Sequence, residues 1–221
     1  MQRRYRDRRQ AGRALAAALL QYAHRDDVVV LALPRGGVPV AYEVARLLGA
    51  PLDVFVVRKL GLPGHEELAM GAVASGGVRV LNDEVVFGLN VPDDTIDAVT
   101  RRELAELMRR EQLYRGDRPQ VDVRGRTVIL VDDGLATGAT MQAAVRGLRR
   151  RAPARIVVGV PIAAPATCRA LAREVEDIVC GATPERFVAV GLWYEDFSQT
   201  SDAEVHELLA AARTPVAAPL E

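Results

Sequence analysis

The chain has 221 residues, 49% hydrophobic and 5% aromatic, with 29 basic and 29 acidic side chains and a formal net charge of zero. That is apolar material for one α/β domain with an appendage, or for two small lobes, and it lacks the basic surplus that a nucleic-acid partner demands. No stretch is long and apolar enough to span a membrane.

Arg3, Arg4, Arg6, Arg8 and Arg9 precede a short apolar run, Ala14 to Leu20, that has no clean cleavage site after it. Leu15, Leu19 and Tyr22 fall at helical spacing, which predicts an amphipathic surface helix over 7–23 rather than a signal peptide. Val28 to Leu33 reads as a buried strand, Pro34-Arg35-Gly36-Gly37 as a turn, and Val38 to Leu48 as a helix ending at Gly49. With a second strand at Leu52 to Val57 this makes a βαβ unit, hence a parallel pair with a right-handed crossover. The glycine-rich stretch 58–82 breaks the pattern and reads as a mobile loop, then a hairpin of Ala69–Ala74 and Val78–Leu81. Pro92 to Tyr114 is a charged helix with an apolar stripe of Ile96, Val99, Leu104, Leu107 and Met108.

The remaining elements alternate. Thr127 to Val131 is a strand, Ala139 to Arg151 a helix, Arg155 to Val160 a strand and Pro165 to Arg173 a helix. Short strands at Asp177–Cys180 and Phe187–Leu192 precede a last helix at 202–212, and 214–221 reads as a tail. One domain over 1–213 with a core of about 26–197 follows. Cys168 and Cys180 read as small core residues in a reducing, cytoplasmic compartment, not as a disulfide framework.

The segment from Val128 to Thr140 is the most informative. A strand buried on both faces ends in Asp132-Asp133, followed by small residues with hydroxyls at Thr137 and Thr140, then a helix. In an open α/β sheet, ligands bind at such a crevice. A helix start offers unpaired N–H groups and the positive end of its dipole to a phosphate. Gly134, Ala136, Gly138 and Ala139 let an anion approach the backbone. Two carboxylates would repel a phosphate but accept hydrogen bonds from a hydroxyl pair, so the loop suits a ribose 5-phosphate.

This run resembles the signature of the type I phosphoribosyltransferases: an apolar strand, two adjacent acids, and a small-residue loop ending Thr-Gly-x-Thr, here Thr137-Gly138-Ala139-Thr140. The resemblance implies a type I phosphoribosyltransferase fold, a parallel β-sheet core flanked by helices with a small hood. It also implies that Asp132 and Asp133 bind the ribose hydroxyls of phosphoribosyl pyrophosphate (PRPP), while Gly134, Ala136 and Thr137 to Thr140 wrap its 5-phosphate. A haloacid-dehalogenase nucleophile wants Asp-x-Asp-Gly-Thr, a spacing that adjacent Asp132-Asp133 breaks, and no Gly-Lys-Ser/Thr of a P-loop occurs anywhere.

Two further loops extend the likeness, which covers most of 26–197. By analogy with the family, Arg35-Gly36-Gly37 is the short loop that holds pyrophosphate. Val57-Arg58-Lys59-Leu60-Gly61 is similar to the Arg-Lys that enters the flexible catalytic loop of adenine and orotate phosphoribosyltransferases. The likeness implies that Arg58 and Lys59 join Arg35 in holding the pyrophosphate; Lys59 is the only lysine in the chain, and a compact ammonium aimed at a leaving pyrophosphate is catalytic as well as adhesive. Phe187 to Phe197 is loosely similar to the strand of hypoxanthine phosphoribosyltransferases that stacks on the base, making Phe187 and Trp193 candidate base-binding residues and Asp196 a candidate metal carboxylate. The subgroup it looks most like is the bacterial predicted phosphoribosyltransferases.

The resemblance therefore implies a PRPP-dependent pentosyltransferase of nucleotide metabolism, with Lys59, Asp132 and Asp133 catalytic and Mg²⁺ carried on the substrate pyrophosphate. Its partners are PRPP and a nucleobase-like small molecule, purine-like or pyrimidine, with no nucleic acid and no membrane, and a homodimer is compatible with it. The alternatives are a PRPP-binding regulator or sensor on the same fold and, further off, a sugar-phosphate hydrolase.

Overall fold

The computed structural model describes residues 4–212; the expected tail at 214–221 lies outside them. Its centre is a five-stranded parallel sheet built from β1 (Val28–Ala32), β2 (Leu52–Val54), β6 (Thr127–Val131), β7 (Arg155–Ile162) and β8 (Asp177–Ala182), in the order β2-β1-β6-β7-β8. Every residue of β1 and β6 is buried, as strands covered on both faces require.

Strand alternation explains the two cores. Val28, Val30, Ala32, Ile129, Val131 and Val157 face one layer of helices, and Val29, Leu31, Val128, Leu130, Ile156 and Val158 face the other. The first layer holds α1 (Arg8–Ala18), α2 (Gly37–Leu48), α4 (Asp93–Arg115) and α7 (Asp202–Ala211); the second holds α5 (Ala139–Arg149) with Leu171 of α6 (Pro165–Leu171). On α4, Ile96, Val99 and Leu107 are buried as expected, but Met108 is exposed: it lies one step round the helix from Leu107, past the edge of the packed stripe.

A three-stranded antiparallel hood, β3-β4-β5, stands apart from this sheet. It consists of β3 (Val57–Leu62), β4 (His65–Ala74) and β5 (Val78–Leu81), followed by the short helix α3 (Asp83–Gly88). Here the sequence expectation is corrected. The strand expected at Leu52–Val57 splits, its first part in the main sheet and its end in the hood. The stretch expected as a mobile loop is β3 and the first part of β4, paired through an irregular register at Leu60–Leu62. Gly61 and Pro63 hid it, because residues that weaken a strand pattern are tolerated at a bulge and a turn.

Two more expectations change. Phe187–Leu192 is not a strand: the chain there runs irregularly into a 3-10 turn at Val190–Trp193. β8 remains the sheet edge, and this segment instead packs Phe187, Val190 and Trp193 beside Ile162 and Tyr194. Cys168 and Cys180 form a disulfide between α6 and β8, with Cα atoms 6.8 Å apart. They are not separate core residues, because the turn from α6 into the adjacent strand brings two cysteines 12 positions apart together.

Candidate functional site

β1 connects to β2 on one side, whereas β6 lies on its other side, so the strand order reverses between β1 and β6. At such a switch point the loops leaving the two carboxyl ends diverge and form a crevice. The loop after β1 is Pro34–Gly36 and the loop after β6 is Asp132–Gly138, so topology alone brings together two segments about one hundred positions apart in the sequence. They touch closely. A Cβ on Gly37 would stand 2.7 Å from the Val131 carbonyl oxygen, and one on Gly36 would collide with the Asp133 carboxylate. Glycine is required at both positions for this approach.

Asp132 and Asp133 sit partly buried at the end of β6. The Asp132 carboxylate accepts the Asp133 N–H at 2.8 Å. Burial, then the neighbouring Asp133 charge, pushes Asp132 well above the ordinary carboxylate range. Burial also raises Asp133, while the guanidinium of Arg8 opposes it. Two acids desolvated side by side resist double ionisation, which leaves the pair ready to accept polar hydrogens from a ligand.

The loop beyond them ends at Gly138, whose φ of 76° puts it in the left-handed region that glycine favours. Gly138 provides no side-chain cap for α5. The nearest hydroxyl, Thr137 Oγ1, accepts the Ala139 N–H at a long 3.5 Å. Ala136, Thr137, Ala139 and Thr140 are exposed, so the dipole end of α5 and its first N–H groups face outward with hydroxyls on either side. The loop is held from behind. Leu135 forms a bridge with Ala163, and Thr167 of α6 donates its hydroxyl to the Ala136 carbonyl at 2.6 Å.

The basic residues divide. Adjacent residues of a strand point to opposite faces, so Arg58 and Lys59 separate. Arg58 turns to α4 and gives two hydrogen bonds, 2.9 and 2.7 Å, to Glu103 Oε2. Lys59 turns to α5 and lines a cavity of about 220 Å³ whose walls include Thr140, Gln142 and Arg146. Its ammonium makes only a 3.4 Å exposed contact with Glu67, a pair worth little in water. Arg35 lies 3.6 Å from Asp202 of α7, which also accepts the Tyr114 hydroxyl at 2.8 Å.

The aromatic residues gather around Tyr194 rather than standing alone. Its ring is 5.8 Å from Tyr5 and 5.1 Å from Phe197, while Phe187 and Trp193 pack against the same small cluster. The Asp196 carboxylate accepts the Ser198 N–H at 2.9 Å in an exposed turn. Sequence patterning missed three contributors: Arg8, Thr167 and Tyr194, whose hydroxyl donates to the Asp133 carbonyl at 2.6 Å. Arg8 is one of five early arginines, and no periodicity distinguishes the one that reaches inward.

The sequence profile of the Phosphoribosyl transferase domain matches residues 4–179. "Putative phosphoribosyl transferase Rv0571c" of Mycobacterium tuberculosis H37Rv, and its counterpart in strain CDC 1551, are each 50% identical to this chain over 206 residues. That alignment takes in 93% of this chain but 46% of each relative, so the chain spans about half the length of the curated relatives it matches. The crystal structure of TT1426 from Thermus thermophilus is 43% identical, with a TM-score of 0.83 over 94% of this chain and 98% of that one.

Proposed function

This chain belongs to the phosphoribosyl transferase family, and from that premise we propose that it transfers the 5-phosphoribosyl group of PRPP to a nitrogenous base and releases pyrophosphate. The observation that carries the reading is the junction at the switch point: an acid pair suited to a ribose diol, one short loop away from an exposed helix start, capped only by a long contact to Thr137, that suits its 5-phosphate.

Asp132 and Asp133 accept hydrogen bonds from the ribose hydroxyls and orient the sugar. As the bond to pyrophosphate breaks, the ring gains oxocarbenium character, and the carboxylates favour that positive charge. Thr137, Gly138, Ala139 and Thr140 hold the 5-phosphate through backbone N–H groups and hydroxyls, with Gly134 and Ala136 leaving room. Arg35, Gly36 and Gly37 face the pyrophosphate side, and Lys59 follows the departing group. Arg58, held by Glu103, aligns β3 and so places Lys59.

Among the described residues no three His, Cys, Asp or Glu side chains stand together as a metal cage. The residues fit magnesium in the way that ion prefers, carried on the substrate pyrophosphate, with Asp196 as the candidate protein carboxylate. Bound there, it would neutralise charge developing on the leaving group. The acceptor in this reading is a purine-like or pyrimidine base, with Phe187 and Trp193 on its side of the site.

The test is direct. PRPP with Mg²⁺ should raise the melting temperature by mass action, and a panel of nucleobases should include one that triggers pyrophosphate release. Absence of PRPP binding by calorimetry would sink the proposal. Binding without release on any base would convert it to a PRPP sensor.

A further inference from the structure

Two segments far apart in the sequence, 5–8 and 193–198, converge on one residue, Asp133. The Tyr5 N–H donates to the Trp193 carbonyl, and the Glu195 and Asp196 N–H groups donate to the carbonyls of Tyr5 and Arg6. These bonds pin segment 5–6 to segment 193–196. Asp7 then caps α1 by accepting the Gln10 N–H, and the apolar face of that helix is buried through Ala11, Leu15 and Ala16. The helix is thus anchored without help from Arg8, its first residue.

Arg8 nonetheless turns inward. Its Nε donates to Asp133 Oδ2 at 2.8 Å and one Nη donates to the Ser198 carbonyl at 2.7 Å. Its guanidinium lies 4.0 Å from the centre of the Phe197 ring. The Arg8 and Asp133 side chains are only 11% and 15% exposed. A long cation near the chain start would ordinarily extend into water, because ordering it costs rotamer freedom and an exposed pair returns little. Here three partners fix a planar group in one orientation, with charge-assisted geometry toward the acid.

We infer that Arg8 is a positioning residue for the proposed transfer: its fork fixes the Asp133 carboxylate in one orientation, so that the acid pair is set to meet the ribose diol. This rests on the ribose-binding reading of the acids. The groups facing Asp133 are few. Asp132 is its neighbour on the loop, Arg8 comes from α1, and Tyr194 comes from the far segment with its hydroxyl on the Asp133 backbone. The β1 loop presents uncharged Gly36, and Arg35 from that loop turns to Asp202. Arg8 is the cation in this set, so a change there frees the Asp133 carboxylate to turn.

The test uses Arg8→Met, which keeps an apolar stem under Phe197, and Arg8→Lys, which keeps a charge but not the fork. Calorimetry at one pH follows ribose 5-phosphate and, as a probe of the phosphate loop alone, inorganic phosphate. Arg8→Met should lose at least tenfold in ribose 5-phosphate affinity and keep its inorganic phosphate affinity, and Arg8→Lys should recover part of the loss. Unchanged ribose 5-phosphate affinity in folded Arg8→Met overturns the inference, and an equal loss for both ligands marks Arg8 as a structural tie and overturns it too. A wild-type protein that binds ribose 5-phosphate no better than inorganic phosphate instead overturns the ribose reading of the acids.

Discussion

Burial and the charge of Asp133 place the Asp132 pKa well above its ordinary 3.8. A raised folded-state value means that the native protein keeps a proton which the unfolded chain has released. The sign follows: the stabilisation is complete below the unfolded value and is lost as pH rises through the folded one. Asp132→Asn keeps the acceptor for the Asp133 N–H but removes the titrating group and its proton-uptake cost. It should therefore raise the melting temperature near neutral pH, by roughly 2–4 °C for each kcal/mol relieved, while abolishing most turnover, as expected where activity needs a destabilised group. Melting curves from pH 4 to 8 check this, and superimposable wild-type and variant curves would refute it. Lys59 gives a second residue-scale expectation. Lys59→Arg keeps the charge, yet a planar fork cannot follow a departing group as a rotating ammonium can. Turnover should fall at least tenfold, about 1.4 kcal/mol of barrier, with less change in PRPP affinity. Equal single-turnover rates would make Lys59 a bystander. At this scale the acid pair and the Thr-Gly-x-Thr loop were legible because each residue type is tied to a local chemical demand. Arg8 was not, because its partners lie more than one hundred positions away.

At the scale of elements, the buried parallel strands were legible because continuous apolar runs admit few other homes, and the helices because their spacing repeats. The failures share one cause: local pattern does not name a partner. β3 carries Arg58, Lys59 and Gly61 and is made a strand by β4; Phe187–Leu192 carries apolar residues yet finds no strand to pair with. The Cys168–Cys180 bond belongs to the same class, and it bears on the site. Cys168 follows Thr167, whose hydroxyl holds the Ala136 carbonyl and whose methyl packs on Gly138. α6 is short, so the bond to β8 is a major restraint on that contact. Replacing both cysteines by serine should cost about 3 kcal/mol for a loop of this size, or a melting-temperature loss of roughly 6–12 °C. Ribose 5-phosphate should also bind more weakly, because the phosphate loop loses its fixed backing. A dithiol added to the wild type should reproduce both effects and leave the double variant unchanged. Full affinity in the double variant would uncouple the bond from the site.

Across the whole molecule, the sheet order creates a crevice between β1 and β6, and two segments far apart in the sequence lie against one side of it. Segment 5–8 is hydrogen-bonded to 193–198, and both touch Asp133, through Arg8 and through Tyr194. The hood stands on the other side and brings Lys59 to the cavity beside Thr140. A ligand spanning acids and phosphate loop therefore rests on the single stretch 132–140, yet it should quieten regions far apart in sequence. Such coupling has physical content if the distant segments open together, since amide exchange reports local unfolding of connected units. Hydrogen exchange with and without ribose 5-phosphate should show protection gained at 132–140 and, in concert, at 5–12 and 192–198. The Arg8→Met variant should keep the first gain where it still binds and lose the second, because the link from Asp133 to α1 is cut. Protection confined to 132–140 in the wild type would mean that the paired segments 5–8 and 193–198 are a fixed wall, indifferent to what the acids hold.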